Sequence, residues 1–202
     1  MSISKLMWFL IFSVTLAWSG WNPHDQFTWF LEVFPAILAF LILIFTYRRF
    51  KLTTLCYVLI LIHSIILMVG GHYTYAEVPA FTWLSDYYDL GRNHYDKLGH
   101  FAQGFIPAMV LRELLIRKKV VASPKWGNFL IVCTCLGFSA FYELLEWWVA
   151  IAVGEDAEAF LGTQGYVWDT QSDMFLAMAG AILALMFLGK WHDRQLVKMG
   201  RG

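Results

Sequence analysis

The sequence predicts an all-α, polytopic transmembrane helical bundle of about six helices, with an interfacial outer segment between the third and fourth spans. Three observations carry that reading. Of the 202 residues, 59% are hydrophobic, with a mean hydropathy of +0.56, more apolar than soluble domains usually are. The apolar residues are gathered into runs long enough to cross a bilayer. The charged residues change sign from one connecting segment to the next.

That alternation sets a topology. Lys5, the Arg48-Arg49-Phe50-Lys51 run, Arg112, the Arg117-Lys118-Lys119 run, Lys125, and Lys190, Arg194, Lys198 and Arg201 all fall at the even-side ends of the spans. Asp25, Glu77, Asp86, Asp89, Asp96, Glu155, Asp156, Glu158 and Asp169 fall on the other side, with only Arg92 and Lys97 as basic company. Short loops rich in Lys and Arg stay cytoplasmic. Both termini are therefore expected in the cytoplasm. The formal net charge is zero, and no basic patch faces aromatics, so a nucleic-acid partner is not expected. Residues 1–202 read as one integral membrane domain whose main partner is the lipid bilayer.

The first span, about Leu6 to Trp18, is short. Ala17-Trp18-Ser19 before Gly20 resembles a signal-peptidase site, but Trp18 and Trp21 look like interfacial anchors, which favours a retained helix. The second span runs from about Thr28 to Tyr47 and the third from about Leu52 to Gly70. Gly71 to Tyr95 is too polar to span, and its Tyr73, Tyr75, Trp83, Tyr87 and Tyr88 suit a loop or short helix at the interface. The fourth span is about Asp96 to Ile116. Ser123-Pro124 makes a turn before the fifth, about Trp126 to Val153. An acidic outer loop leads to the sixth, about Thr170 to Leu188, and Lys190 to Gly202 forms a basic tail. Pro35 and Pro107 are expected to kink the second and fourth spans. Cys56, Cys133 and Cys135 all lie in apolar runs, so no disulfide is expected.

Polar residues gather at the outer ends of the spans. Asp96-Lys-Leu-Gly-His100 opens the fourth, and its four-residue step puts Asp96 and His100 on one face, continued by Gln103. Glu143-Leu-Leu-Glu146 stands near the outer end of the fifth, and Asp169-Thr-Gln-Ser-Asp173 opens the sixth. His72 closes the third span and Glu32 lies one turn inside the second. Glu143 is about 16 residues, or roughly 24 Å, from the inner start of its helix, near the level of His100 and Asp173. Ionisable groups at such depth normally face a bundle interior, a partner or a water-filled cavity.

Two chemistries suit such a pocket. Carboxylates with a histidine can hold a divalent metal, with His72, His100, Glu143 and Asp173 as ligands, and the metal would activate water or polarise a phosphoryl oxygen. Without metal, crowded carboxylates raise one another's pKa so that one acts as acid while another stays ionised, with His100 as proton shuttle. Glu143, Asp173 and His100 are the catalytic candidates, supported by Asp96, Glu146 and Asp169. Blander readings stand beside these. Asp96 and Asp169 suit helix N-caps. Glu143 and Asp173 suit structural pairing with Lys97 or His100. Glu146 and Glu32 suit the interface, and His63 a satisfied core position. His24, His94 and His192 have no partner nameable from sequence, and Arg112-Glu113 reads as snorkelling with local pairing. No GxSxG, P-loop or HExxH pattern is present.

Gly71-His-Tyr-Thr-Tyr75, Asn93-His-Tyr-Asp-Lys-Leu-Gly-His-Phe101, Tyr142-Glu-Leu-Leu-Glu-Trp147 and Gly165-Tyr-Val-Trp-Asp-Thr-Gln-Ser-Asp-Met174 together resemble the YjdF-type family of bacterial inner membrane proteins. The resemblance covers nearly the whole chain and implies a multi-pass protein of the inner membrane. A looser similarity is to VanZ-like membrane proteins, carried by Asp96, Lys97, His100, Glu143, Asp173 and Gly180, with Ala177 where that pattern has Asn. Three functions remain open: an enzyme acting on a lipid or lipid-linked envelope substrate, a binding or transport protein for a cation or amine headgroup, and a structural or accessory protein.

Overall fold

The computed structural model describes residues 3–153 and 164–200. Glu155, Asp156, Glu158 and Arg201, part of the charge pattern above, lie outside the described residues. The described residues form helices α1 (Ile3–Ser19), α2 (Gln26–Thr46), α3 (Thr54–His72), α4 (Pro79–Tyr88), α5 (Tyr95–Arg117), α6 (Pro124–Val153) and α7 (Asp169–Met199). No strand occurs among them.

By length and composition α2, α3, α6 and α7 can each cross a membrane, and α1 is a shorter apolar helix. The 23-residue α5 is long enough as well, since 1.5 Å per residue gives roughly 34 Å. Its Asp96, Lys97, His100, Gln103, Arg112 and Glu113 lower its hydropathy. The burial of Ala102, Ile106, Ala108 and Met109 shows why those polar groups are tolerated, because α5 turns much of its surface to protein. The interfacial segment contains α4, which has Pro79 in its first turn and ends on Asp89 at φ 52 with the cap N–H bonded to Ser85 O. The basic tail continues α7 without a break as far as Met199; Trp191, Gln195 and Leu196 are compatible with helix, and no Gly or Pro falls between Lys190 and Met199. Pro35 and Pro107 lie inside α2 and α5.

The chain sorts into two compact units. One comprises residues 1–43, 61–99 and 146–167, the other residues 44–60, 100–145 and 168–202. The first has a core of Phe12, Val33, Ala36 and Met68, against which Trp8, Trp29 and Phe40 pack. Phe12 and Phe40 stack with ring centroids 4.5 Å apart. A second cluster joins Tyr75, Val78 and Tyr95. Gly70 is required there, because a β-carbon would run into the Tyr75 ring. Asp25 caps α2, accepting the Thr28 N–H on Oδ1 at 2.6 Å. His63 carries a buried Nε2 with no hydrogen-bond partner among the described residues, unlike the satisfied core histidine expected.

In the second unit α5 and α7 meet backbone to backbone. A β-carbon on Gly104 would overlap the carbonyl of Ala177, and one on Gly180 would overlap the carbonyl of Phe101. Small residues permit this approach, which lets helices pack without bulky side chains. The first turn of α3 is tied in by side chains from other helices. Glu113 of α5 accepts from Thr53 N at 3.0 Å and Thr53 Oγ1 at 2.7 Å, and Gln195 of α7 accepts from Leu55 N at 3.0 Å. Glu113 is fully buried, so it is a capping carboxylate at a helix N-terminus rather than a snorkelling surface group. His192 has partners too, Glu113 and Arg112. Cys56, Cys133 and Cys135 are free thiols. The two-residue step of the last two turns Cys135 inward and Cys133 outward.

Candidate functional site

The site is set by the starts of α5 and α7 and the later part of α6. Asn93 caps α5 through an Oδ1 that accepts the Tyr95 N–H at 3.0 Å. Its amide also donates to Val78 O at 3.0 Å and to Thr82 Oγ1 at 2.9 Å. The Gln164 side chain then clamps the Asn93 backbone on both polar groups, at 3.0 and 2.9 Å. Since the helix begins at Tyr95, Asp96 stands inside the first turn and not at the cap. Asp169 likewise opens α7 as its first residue, and the cap position is Trp168. Carboxylates in a first turn favour the helix dipole, so neither residue takes the N-cap position that was one of its two readings.

His100 follows Asp96 by one turn and is 6% exposed. Its Nε2 lies 3.7 Å from Glu143 Oε1 of α6, and its ligand nitrogen lies within 4.8 Å of a carboxylate oxygen of Asp173 of α7. Asp173 is 2% exposed. Three helices thus bring one imidazole and two carboxylates together among buried surroundings. Tyr142 sets an aromatic ring edge-on to His100 at 6.4 Å. The pairing of α5 with α7 has its cause one turn away. Gly104 follows His100 by four residues, Ala177 follows Asp173 by four, and their backbones touch.

The tautomer of His100 follows from its neighbours. Nδ1 faces Gln103 Oε1 at 3.1 Å, and an amide oxygen only accepts, so Nδ1 carries hydrogen. Nε2 then either faces Glu143 with a lone pair or, once protonated, is the ion-pair partner of that carboxylate. It is the atom that would take up a proton or a metal.

The supporting residues stand close by in sequence. Glu146 is buried one turn along α6 from Glu143, and Asp169 is buried one turn before Asp173. His72 ends α3, with Nδ1 bonded to Ser19 O at 2.9 Å and the Trp18 ring packed against it at a tilt, centroids 4.6 Å apart. A carbonyl accepts, so Nε2 of His72 holds the lone pair, the orientation that ligand histidines use. The sequence reading missed Gly104, whose signal was the four-residue spacing of small residues on two helices. It also missed the polar group around Glu113 and His192, whose members sit far apart in the chain.

Comparison with known proteins agrees with the helical membrane architecture. The inner membrane protein YjdF of Escherichia coli (strain K12) is 50% identical over 191 residues, covering 95% of this chain and 91% of that protein. No solved structure matches. The similarity to VanZ-like proteins gains no support from these comparisons. A family model described as predicted membrane protein (DUF2238) matches residues 4–194, and the chain belongs to that family.

Proposed function

We propose that this membrane protein is an enzyme acting on a lipid or lipid-linked envelope substrate. The observation that carries this reading is the meeting of buried His100 and Asp173 with the half-buried Glu143, one residue from each of three helices. Burying charged groups costs free energy, and membrane proteins retain them mainly where they bind or react. In this reading His100 Nε2 gives and takes the proton, and Glu143 and Asp173 act as base or as oxygen ligands to a divalent metal. A donor set of carboxylate oxygens and one imidazole suits a hard or borderline ion. Such an ion would polarise a phosphoryl or ester oxygen and lower the pKa of water. Asp169, in the same unit as His100, adds negative potential, and Asp96, Glu146 and His72 belong to the other unit. The Lys and Arg distribution supports cytoplasmic termini and a site facing the periplasm.

A second reading is capture of a cation or an amine headgroup, supported by two carboxylates against one imidazole. Passage of that cation through the protein is disfavoured along α5 and α7, whose backbones touch at Gly104 and Gly180.

The test compares metal content, bound lipid and thermal stability of the detergent-purified protein with its Glu143→Gln/Asp173→Asn variant. Close to one divalent ion per chain, lost in the variant, supports the metal-assisted enzyme and directs substrate trials to phosphorylated lipids. No metal, with a co-purifying amine lipid lost in the variant, supports capture. Loss of thermal stability alone moves the three residues to a structural role.

A further inference from the structure

A second ionisable cluster lies in the same unit, between the first turn of α3, the later part of α5 and the last third of α7. Cys56, Glu113 and His192 are all 0% exposed. His192 Nε2 lies 3.1 Å from Glu113 Oε2 and 3.9 Å from Cys56 Sγ, and one ligand atom from each residue falls within a 4.8 Å span. We propose that Cys56, Glu113 and His192 form a binding site for a borderline-soft divalent transition metal of the zinc class.

The geometry supports this. Tetrahedral zinc with ordinary bond lengths sets its nitrogen and oxygen ligands about 3.4 Å apart and its nitrogen and sulfur ligands about 3.6 Å apart. The observed separations differ from these by a few tenths of an ångström, within reach of small side-chain rotations. Thiolate, imidazole and carboxylate are the ligand types zinc takes, and the sulfur sets this site apart from the all-oxygen-and-nitrogen group around His100. Three protein donors leave a fourth position for water or another ligand.

The hydrogen bonds define the state that a metal must displace. Arg112 Nη1 lies 3.0 Å from His192 Nδ1. A guanidinium only donates, so Nδ1 is the acceptor and the ring hydrogen is on Nε2, given to Glu113 Oε2. Arg117 holds the other carboxylate oxygen, Oε1, at 2.7 Å, and Arg112 also holds Asp193 Oδ1 at 2.7 Å. Metal entry requires the Cys56 thiol to lose its proton to water. The ring hydrogen of His192 moves from Nε2 to Nδ1, and Nε2 gives its lone pair to the ion. Arg112 withdraws from Nδ1 and keeps its bond to Asp193. One proton is released for each ion bound. Arg112 therefore opposes metal entry, as a donor facing Nδ1 and as a neighbouring positive charge.

Cobalt(II) is the probe, because sulfur coordination gives it an intense thiolate charge-transfer band. Wild-type protein in detergent is expected to show that band, its intensity saturating when one ion occupies this site, with one proton released there. Cys56→Ser, nearly isosteric and free of new charge, should abolish the band while keeping the thermal midpoint. Arg112→Gln should tighten cobalt binding roughly tenfold or more by removing the nearby charge, which no purely structural role predicts. Cobalt bound near His100 gives no sulfur band, so failure of this site and failure of the proposed active site are read separately. No thiolate band at saturating cobalt, or a band that survives Cys56→Ser, overturns the proposal.

Discussion

Gly104 of α5 faces the carbonyl of Ala177 of α7 with no room for a β-carbon between them. The contact lies one turn beyond His100 on one helix and one turn beyond Asp173 on the other. Helix packing and site geometry are therefore one constraint in this region. Gly104→Ala should push the two helices apart and cost about 1–3 kcal/mol, the usual price of overpacking. Thermal unfolding in detergent measures it, and an unchanged midpoint would remove the close approach from the account.

Glu143→Gln and Asp173→Asn keep side-chain shape and remove charge. If the site is catalytic, each should abolish turnover of the cognate lipid while leaving membrane insertion and monodispersity as in the wild type. Full activity in both variants would sink the enzymatic reading. His100→Gln should behave likewise, because a glutamine cannot shuttle a proton at neutral pH.

Asp25 gives a pH prediction away from the site. Its carboxylate accepts the backbone N–H of Thr28 at 2.6 Å, and that bond holds its pKa below the ordinary value of 3.8. A depressed folded-state pKa contributes stability that is complete above the unfolded value and is lost as pH falls through the folded one. Asp25→Ala should cost about 0.5–2 kcal/mol near neutral pH. Its difference from wild type should shrink below about pH 4. A difference that stays constant down to strongly acid pH would show that the cap is not the cause.

Glu113→Ala should be among the most damaging single changes. It strands the Thr53 N–H and hydroxyl, the Arg117 guanidinium and the His192 Nε2–H, all of which now meet one buried carboxylate. Breaking a buried charged network by removing one partner costs about 3–5 kcal/mol. Denaturation in mixed micelles measures the loss, and a change under about 1 kcal/mol would mean that water replaces the carboxylate.

Much of the helical layout was legible because bilayer thickness and the alternating loop charges act on local sequence. The one-turn spacings Asp96–His100, Glu143–Glu146 and Asp169–Asp173 were legible for the same reason, since a helix turns nearby residues onto one face. The Glu113 group was hidden. Thr53 and Glu113 are 60 residues apart, and Cys56 and His192 are 136 apart, so no local period announces them. His192 was misplaced because the tail was read as ending the helix at its first lysine. Gly104 looked like an ordinary small residue until α7 was beside it.

The tie at the start of α3 also bears on biogenesis. The Leu55 N–H is answered by Gln195, 140 residues later in the chain, and translation delivers residues in order. The Leu55 N–H at the beginning of the third helix therefore meets this side-chain partner only after almost the whole polypeptide has been made. A chain released short of Gln195 lacks the side chain that answers this N–H.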